Sequence, residues 1–320
     1  MSVTHFLNAG IAALSQGELE IAEAAFREAL NTDPDNSNAH NNLGFVLAQQ
    51  QRWSAALIHL RSALSVTPDS SMAHCNIGQV LIATGQVNEG MKHIDEAVSN
   101  DPENAIAWDT LARFRILAGD YMAAEYAAQR AISLVPDQSS FHVRLGMAIA
   151  AQRRLAEALR HYQRALQLQP QSSEAWAQAG ITSFMMNNPG DARIALTNAL
   201  TLNSADHNAR RHLALAELTL GNTAVAIEHL EHILATANGD DDCRMELAVI
   251  FISKFRNADA RLLLGQMSDE FRQTPRCRYY DALLCRREGA EQQAQDILEE
   301  LADSVNDYSS RAADLLAAVH

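Results

Sequence analysis

Apolar residues recur along the chain at the spacing of one helix face. Ala39, Leu43 and Leu47 lie four residues apart, and Ala56 and Leu60 repeat that interval after a short polar stretch. Such spacing predicts an amphipathic α-helix in each of the two stretches. The polar residues between them predict a tight turn, so this part of the chain is expected to form two helices packed against each other.

The same pattern returns at a fixed interval of 34 residues. The sequence AHNNLGFVL at 39–47 is followed by AHCNIGQVL at 73–81. Prolines share this interval: Pro34, Pro68, Pro102, Pro136 and Pro170. Glycines and alanines keep the same phase in three series: Gly10, Gly44, Gly78, Gly146 and Gly180; Gly17, Gly85, Gly119, Gly221 and Gly289; and Ala22, Ala56, Ala124, Ala158, Ala192, Ala226, Ala260 and Ala294. Agreement among these residue types indicates a chain of repeated structural units.

Each unit is predicted to be a helix, a turn and a second helix. Glycine ends the first helix at little cost because it tolerates a positive φ. Proline prevents the second helix from continuing, and the Asp, Asn or Ser that follows it can cap the next helix.

This pattern resembles the tetratricopeptide repeat, whose 34-residue signature combines W-x2-L-G-x2-Y, A-x3-F and a closing proline. Two of the units match it at the following residues: Trp108, Leu111, Ala124 and Pro136, and Leu145, Gly146, Ala158, Tyr162 and Pro170. The resemblance covers nearly the whole chain. It implies a right-handed α-solenoid, in which neighbouring helix pairs stack because no pair can bury its apolar face alone.

The phase also sets the boundaries of the units. Regular units fill residues 1–240 and are placed at 3–36, 37–70, 71–104, 105–138, 139–172, 173–206 and 207–240. Two degenerate units, 241–274 and 275–308, keep part of the phase but lack the closing proline. Residues 309–320 are expected to form a helix that caps the last unit. We therefore predict an all-α fold of about nine helix pairs with a C-terminal capping helix.

The resemblance implies a binding surface as well. In tetratricopeptide arrays the first helix of every unit lines a concave groove, and its second, fifth, sixth and ninth positions face inward. The sixth position holds Asn8, Asn42 and Asn76, similar to the asparagine ladder in the repeat region of O-linked N-acetylglucosamine transferases. An amide can pair with both the N–H and the C=O of a peptide, so we predict that the ladder binds an extended peptide backbone. The alternative is that these amides only solvate an exposed helix face.

Other inward positions refine this surface. The remaining candidates are Asn41, Gln79, Arg113, Arg144 and Gln178. The two arginines predict affinity for an acidic stretch of the partner. Arg160 and Arg164 add positive charge nearby, but they fall on the second helix of their unit, where a solvated outer face is the simpler interpretation.

Composition limits the class of partner. The formal net charge is −14, which disfavours nucleic acid and anionic membrane surfaces. No stretch approaches about 18 uninterrupted apolar residues, so no membrane-spanning helix is expected. The four cysteines form no CxxC pair, which is typical of a reducing compartment. Because the N-terminus also lacks the pattern of a signal peptide, we expect a cytoplasmic protein.

Histidines raise the question of a metal site. One series occupies the twenty-third position of its units: His59, His93, His161 and His229. A second series stands where the family often has tryptophan and is expected to pack as aromatic residues: His40, His74 and His142. Members of the first series lie at least one repeat apart, about 10 Å, too far to share one ion. We therefore predict no metal site, and we predict no cofactor and no catalytic residues because phosphate-loop and hydrolase motifs are absent from the sequence.

These features together predict a non-catalytic protein-interaction scaffold that binds an extended segment of a partner. By analogy with bacterial relatives of this general kind, it would act in assembly of a secretion system, a pilus or a polysaccharide-export complex. Two alternatives stay open. The chain could form a homo-oligomer through Phe251, Phe255 and 262–264, or it could be the substrate-recognition subunit of a separate enzyme.

Overall fold

A computed structural model describes residues 2–236 and 240–317 of the chain. Within these residues it contains twenty α-helices and no β-strand, which confirms the all-α fold. No helix in this part of the chain is both long enough and apolar enough to span a membrane. The expectations for residues 237–239 and 318–320, the latter at the end of the capping helix, lie outside the described residues.

The chain divides into two compact units, Met1–Ala175 and Trp176–His320. Helices of the first unit are α1 (Val3–Ser15), α2 (Leu19–Thr32), α3 (Ser37–Gln49), α4 (Trp53–Val66), α5 (Ser71–Ala83), α6 (Val87–Asn100), α7 (Ala105–Leu117), α8 (Tyr121–Leu134), α9 (Ser139–Ala151) and α10 (Leu155–Leu168). The division falls within α11 (Ser173–Met185). Helices of the second unit are α12 (Pro189–Leu202), α13 (His207–Thr219), α14 (Thr223–Thr236), α15 (Asp241–Ser253), α16 (Asn257–Gly265), α17 (Asp269–Arg272), α18 (Pro275–Arg287), α19 (Glu291–Asp303) and α20 (Ser309–Ala317).

Consecutive helices in the first unit pack as pairs, α1 with α2 through to α9 with α10. The first helices of neighbouring pairs also pack directly against one another, α3 on α5, α5 on α7 and α7 on α9. Among the described residues, the second helices of neighbouring pairs do not pack against each other to a comparable extent. Because the first helices are the more closely spaced layer, they form the inner face of this stack.

Side-chain caps fix where the first helices begin. The side chains of Asn36 and Ser70 accept hydrogen bonds from the backbone N–H groups of Ala39 and Ala73, at 3.0 and 3.4 Å. Each of these bonds satisfies one of the N–H groups that a helix start leaves without a partner. The cap follows shortly after the proline that ends the preceding helix, so the two signals together set the 34-residue phase.

A close approach between the two helices of a pair explains the glycine at the eighth position of several units. A Cβ atom built on Gly44 would lie only 2.5 Å from Cγ of Leu60, which is fully buried on the facing helix. The same clash would occur between Gly78 and Ile94, at 2.6 Å. These glycines therefore allow a large apolar side chain on the second helix to lie directly against the backbone of the first.

The second unit contains less regular pairs. Helix α16 has 9 residues, where the second helices of the first unit have 14, and the four-residue helix α17 follows it. The core of this part is a cluster that includes Leu247, Phe251 and Leu264, contributed by α15 and α16. Helix α20 packs on α19 at the end of the described chain.

Candidate functional site

The inner face of the first unit carries a cavity of about 510 Å³ between the first helices of three neighbouring pairs. Three of the predicted groove residues line it, Asn76 and Gln79 from α5 and Arg113 from α7. Phe45 and Leu117 supply apolar walls, and the Leu117 side chain is 74% exposed at the rim. The repeat brings these residues together because they recur at equivalent positions of adjacent first helices.

The asparagines of this face bind one another. Nδ2 of Asn76 donates to Oδ1 of Asn41 at 2.9 Å, and Nδ2 of Asn41 donates to Oδ1 of Asn42 at 3.3 Å. Asn76 is only 5% exposed, whereas Asn41 and Asn42 are partly exposed and Asn8 is exposed. Asn76 therefore acts as the buried end of an amide chain, and its neighbours on α3 present the accessible polar groups.

Arg113 is the cationic group of the cavity. Its Nη2 donates to Oε1 of Gln79 at 2.7 Å, and its guanidinium lies over the ring of Phe114, 4.6 Å from the centroid. Burial lowers the pKa of Arg113 from its ordinary value, and the positive charge of Arg144 lowers it further. No ion pair among the described residues involves Arg113. The cavity thus contains a partly desolvated positive charge with no carboxylate bound to it, and such a charge favours an anionic ligand.

Arg144 on α9 differs from Arg113 although both were predicted from equivalent reasoning. Its Nε lies 3.4 Å from Oδ1 of Asp109, and its Nη1 lies 3.4 Å from Oε1 of Glu174. Burial raises the pKa of Asp109, and Arg144 opposes that rise. The charge of Arg144 is therefore compensated by direct ion pairs, whereas the same two carboxylates attract Arg113 only at longer range.

The remaining predicted groove residues lie elsewhere. Asn8 is on α1, at the start of the first unit, and Gln178 is on α11 in the second unit. Neither lines the cavity. The structure therefore brings together a subset of the predicted surface, centred on α3, α5 and α7.

Cys75 lies on α5 directly before Asn76 and is buried. Burial raises the pKa of its thiol to about 12, so the thiol is protonated at neutral pH. A buried, protonated thiol is a poor nucleophile. Cys75 therefore belongs to the packing of the inner helices rather than to their chemistry.

Sequence reasoning missed a set of histidine pairs, each formed between the two helices of one helix pair. The two histidine series meet within single units, as His40 with His59, His74 with His93 and His142 with His161. Nδ1 of His40 lies 3.0 Å from Nδ1 of His59, and the corresponding distance between His74 and His93 is 2.9 Å. The signal was present in the sequence: histidine at the fourth position coincides with histidine at the twenty-third, whereas Trp108 coincides with Ala127.

Comparison with known proteins identifies the repeat. A family profile described as "Tetratricopeptide repeat" matches residues 7–73, 110–173 and 184–241. A second profile of the same description matches residues 73–104. No curated protein matches the chain significantly.

Several solved structures share the fold. A chain of the APC/C hetero-tetramer Cut9-Hcn1 is 17% identical, with a TM-score of 0.68 over 88% of this chain and 52% of that one, so the present chain spans about half its length. Human IFIT1, solved as a dimer with m7Gppp-AAAA, is 18% identical with a TM-score of 0.68, covering 99% and 73% of the two chains. PilF of Pseudomonas aeruginosa is 18% identical with a TM-score of 0.55, covering 67% and 97%. At these identities the likeness shows the fold alone.

Proposed function

This chain belongs to the tetratricopeptide repeat family, and we propose that the inner face of its first unit binds an extended, acidic segment of a partner protein. Repeats of this family form protein–protein interaction scaffolds and are typically non-catalytic. The observation that carries the proposal is Arg113, a partly buried cation that faces a cavity without a carboxylate of its own. A carboxylate of the partner would supply the missing charge.

The surroundings of Arg113 refine the expected ligand. Phe45, Phe114 and Leu117 form the apolar walls of the cavity, so a large apolar side chain beside the acidic residue would bury its surface there. A volume of about 510 Å³ is enough for one or two side chains. We therefore expect a motif that combines an aspartate or glutamate with a neighbouring aliphatic or aromatic residue.

The amides on α3 and α5 support binding of a peptide backbone. Asn41 and Asn42 are partly exposed, and Gln79 lies next to the cavity on the following helix. First helices of adjacent pairs lie about 8–10 Å apart, which suits a chain that crosses them in an extended conformation. Because an amide bonds to backbone N–H and C=O groups, this part of the interaction would be independent of peptide sequence.

Two alternatives to a peptide on the inner face are RNA binding and self-association. RNA accompanies the human neighbour IFIT1 in its structure, but the net charge of −14 on this chain repels a polyanion. Self-association is a separate alternative that does not use the inner face: Phe251 and Leu264 are buried, but Phe255 is 78% exposed and Leu262 is 62% exposed. We also propose that the chain takes part in the assembly of a secretion system, a pilus or a polysaccharide-export complex.

The test begins with selection of peptides from a displayed random library on the full-length chain. We expect the selected peptides to share an acidic residue next to a large apolar one. Fluorescence anisotropy of a labelled peptide should then show binding at least about tenfold weaker for Arg113→Gln, because a charge-assisted hydrogen bond contributes about 1.5–3 kcal/mol.

Arg160→Gln is the matched control, since it removes the same charge from an exposed position on the second helix α10. It should bind the peptide as the wild type does. Asn42→Ala should weaken all selected peptides to a similar degree. Selection of peptides without acidic residues, or equal binding by Arg113→Gln and Arg160→Gln, would contradict the proposal.

A further inference from the structure

The helix pair α5–α6 brings three potential metal ligands together. Nδ1 of His74 on α5 lies 2.9 Å from Nδ1 of His93 on α6. Oε2 of Glu96, one turn after His93, lies 3.0 Å from Nδ1 of His74 and 3.4 Å from Nδ1 of His93. Among the described residues this is the one group of three histidine, cysteine or carboxylate side chains with its ligand atoms so close together.

The hydrogen bond on the far side of His74 fixes the state of its imidazole. Nε2 of His74 lies 3.0 Å from the carbonyl oxygen of Pro68. A carbonyl oxygen can only accept, so Nε2 carries a proton, and in the neutral imidazole Nδ1 then presents its lone pair to His93 and Glu96. A partner of this kind on the outer nitrogen is what orients most metal-bound histidines.

With neutral imidazoles and no metal ion bound, the two Nδ1 atoms and the carboxylate oxygen carry too few protons for all of them to be paired by hydrogen bonds. The lone pair on Nδ1 of His74 and the carboxylate of Glu96 are both acceptors, and they lie 3.0 Å apart. Neutral His93 can contribute one proton from Nδ1, which serves only one of these two acceptors at a time. The cluster therefore consists of lone pairs that converge on a small, partly solvent-accessible space.

We propose that His74 Nδ1, His93 Nδ1 and Glu96 Oε2 bind one divalent transition-metal ion of the zinc type. Zinc bonds of about 2.0–2.1 Å in tetrahedral geometry place neighbouring ligand atoms about 3.3 Å apart. The three distances in the protein are 2.9, 3.0 and 3.4 Å, so the ligands would move by only a few tenths of an ångström. The Glu96 side chain is 56% exposed, which gives the ion access from solvent and leaves a fourth position for water.

The other two histidine pairs explain why this unit is the one that binds metal. The residue equivalent to Glu96 is Ser62 in the unit of His40 and His59, and Arg164 in the unit of His142 and His161. A hydroxyl is a weak ligand for zinc, and a guanidinium repels it. A comparison of histidines between units predicts no metal site, whereas these ligands come from both helices of one unit.

An ion at this position would connect the two helices of the pair. His74 is on α5, and His93 and Glu96 are on α6. Helix α5 also supplies Asn76 and Gln79 to the inner face. Metal binding to the folded state alone stabilises it by RT ln(1 + L/Kd), where L is the free metal concentration, so zinc should raise the thermal unfolding temperature of the chain.

The test uses the full-length, untagged chain after chelator treatment, titrated with ZnCl2 in a calorimeter. We expect one ion per chain and a higher unfolding temperature on binding. Glu96→Gln should weaken zinc binding at least about tenfold, since removal even of a supporting residue costs about 10–100-fold. His161→Ala changes the equivalent histidine of another unit and should leave the zinc affinity unchanged.

A gain-of-site variant tests the same idea without disturbing the site. Ser62→Glu completes the set in the unit of His40 and His59, so it should raise the stoichiometry from one ion to two. X-ray absorption at the zinc edge should show only nitrogen and oxygen ligands at about 2.0–2.1 Å, without sulfur at about 2.3 Å. The proposal is overturned if the wild type binds no zinc, if Glu96→Gln binds as tightly as the wild type, if Ser62→Glu adds no ion, or if sulfur is a ligand.

Discussion

Helix pairs α3–α4 and α7–α8 have the same fold in the same unit, yet they fill equivalent positions differently. In α3–α4, Gly44 faces the large side chain of Leu60. The equivalent positions of α7–α8 hold two small residues, Ala112 and Ala128, both fully buried. The spacing between paired helices is thus kept either by one large side chain against a bare backbone or by a methyl group on each side.

The same two pairs differ at the residue that contacts the preceding proline. In α3–α4, Nε2 of His40 lies 2.9 Å from the carbonyl oxygen of Pro34. In α7–α8, Nε1 of Trp108 donates to the carbonyl oxygen of Pro102 at the same distance, 2.9 Å. In these two pairs a ring N–H from either histidine or tryptophan makes the same contact to the proline carbonyl. The larger indole is accompanied by alanine on the facing helix, and the smaller imidazole by a second histidine.

The largest expected effect comes from converting the Gly44–Leu60 contact into the alanine pair of α7–α8. Leu60→Ala should cost about 2–5 kcal/mol in the free energy of unfolding, because it leaves a cavity in the core. Gly44→Ala should cost about 1–3 kcal/mol through overpacking against Leu60. The double variant should lose less than the sum of the two, since each change relieves the other. Urea unfolding of the wild type and the three variants measures this coupling, and strictly additive losses would refute it.

A smaller effect is expected at the turn between the paired helices. Gln51 adopts a φ of 60° and the equivalent Gly119 a φ of 77°. A left-handed backbone costs a residue with a side chain about 1–2 kcal/mol, and part of that is offset by the greater freedom of glycine in the unfolded chain. Gln51→Gly should therefore stabilise the protein by about 0.5–1 kcal/mol, and Gly119→Gln should destabilise it by a similar amount. Thermal unfolding of both variants gives the sign of each change in stability. Changes of the same sign would show that the turn geometry does not control stability.

The smallest effect is a difference in pH dependence. Burial lowers the pKa of His59, and the charges of His40 and Arg27 lower it further against the opposing effect of Glu23. The unfolded chain then binds a proton more readily than the folded one, so this contribution to stability is present above the ordinary histidine pKa of about 6.5 and is lost as the pH falls below it.

The variant His40→Trp/His59→Ala copies the α7–α8 arrangement and removes this contribution. Its free energy of unfolding should fall less steeply than that of the wild type between neutral and mildly acidic pH. Burial also lowers the pKa of His93 and His161, so part of the dependence should remain. If the free energies of unfolding of the two proteins depend on pH in the same way, protonation of the His40–His59 pair is not coupled to folding.

The fold was predictable because local signals agree at every unit. Proline, glycine and alanine each mark the same phase, and the caps Asn36 and Ser70 begin helices where that phase requires them. Even residues that replace glycine in this series, such as Gln51, keep the positive φ of that position. Packing against both neighbours outweighs the local cost of the wrong residue.

The candidate site was less predictable, because a repeat pattern gives the face on which a residue lies but not its partner. Arg113 and Arg144 have equal claims in sequence, yet Asp109 and Glu174 form ion pairs with Arg144 and act on Arg113 only at longer range. Asn76 shares a register position with Asn42, yet the structure places it among buried side chains. These distinctions depend on contacts between residues about one repeat apart, and on side-chain conformations that a single-sequence pattern does not specify.

The polar contacts along the inner face have a consequence for how such a protein evolves. Asn76 bonds to Asn41, Arg113 to Gln79 and Arg144 to Asp109, so these three junctions of the first unit each use a different chemical pair. Exchanging two helix pairs would conserve the backbone but would separate each side chain from its counterpart. A duplicated or transplanted helix pair would therefore need new counterparts at both of its borders.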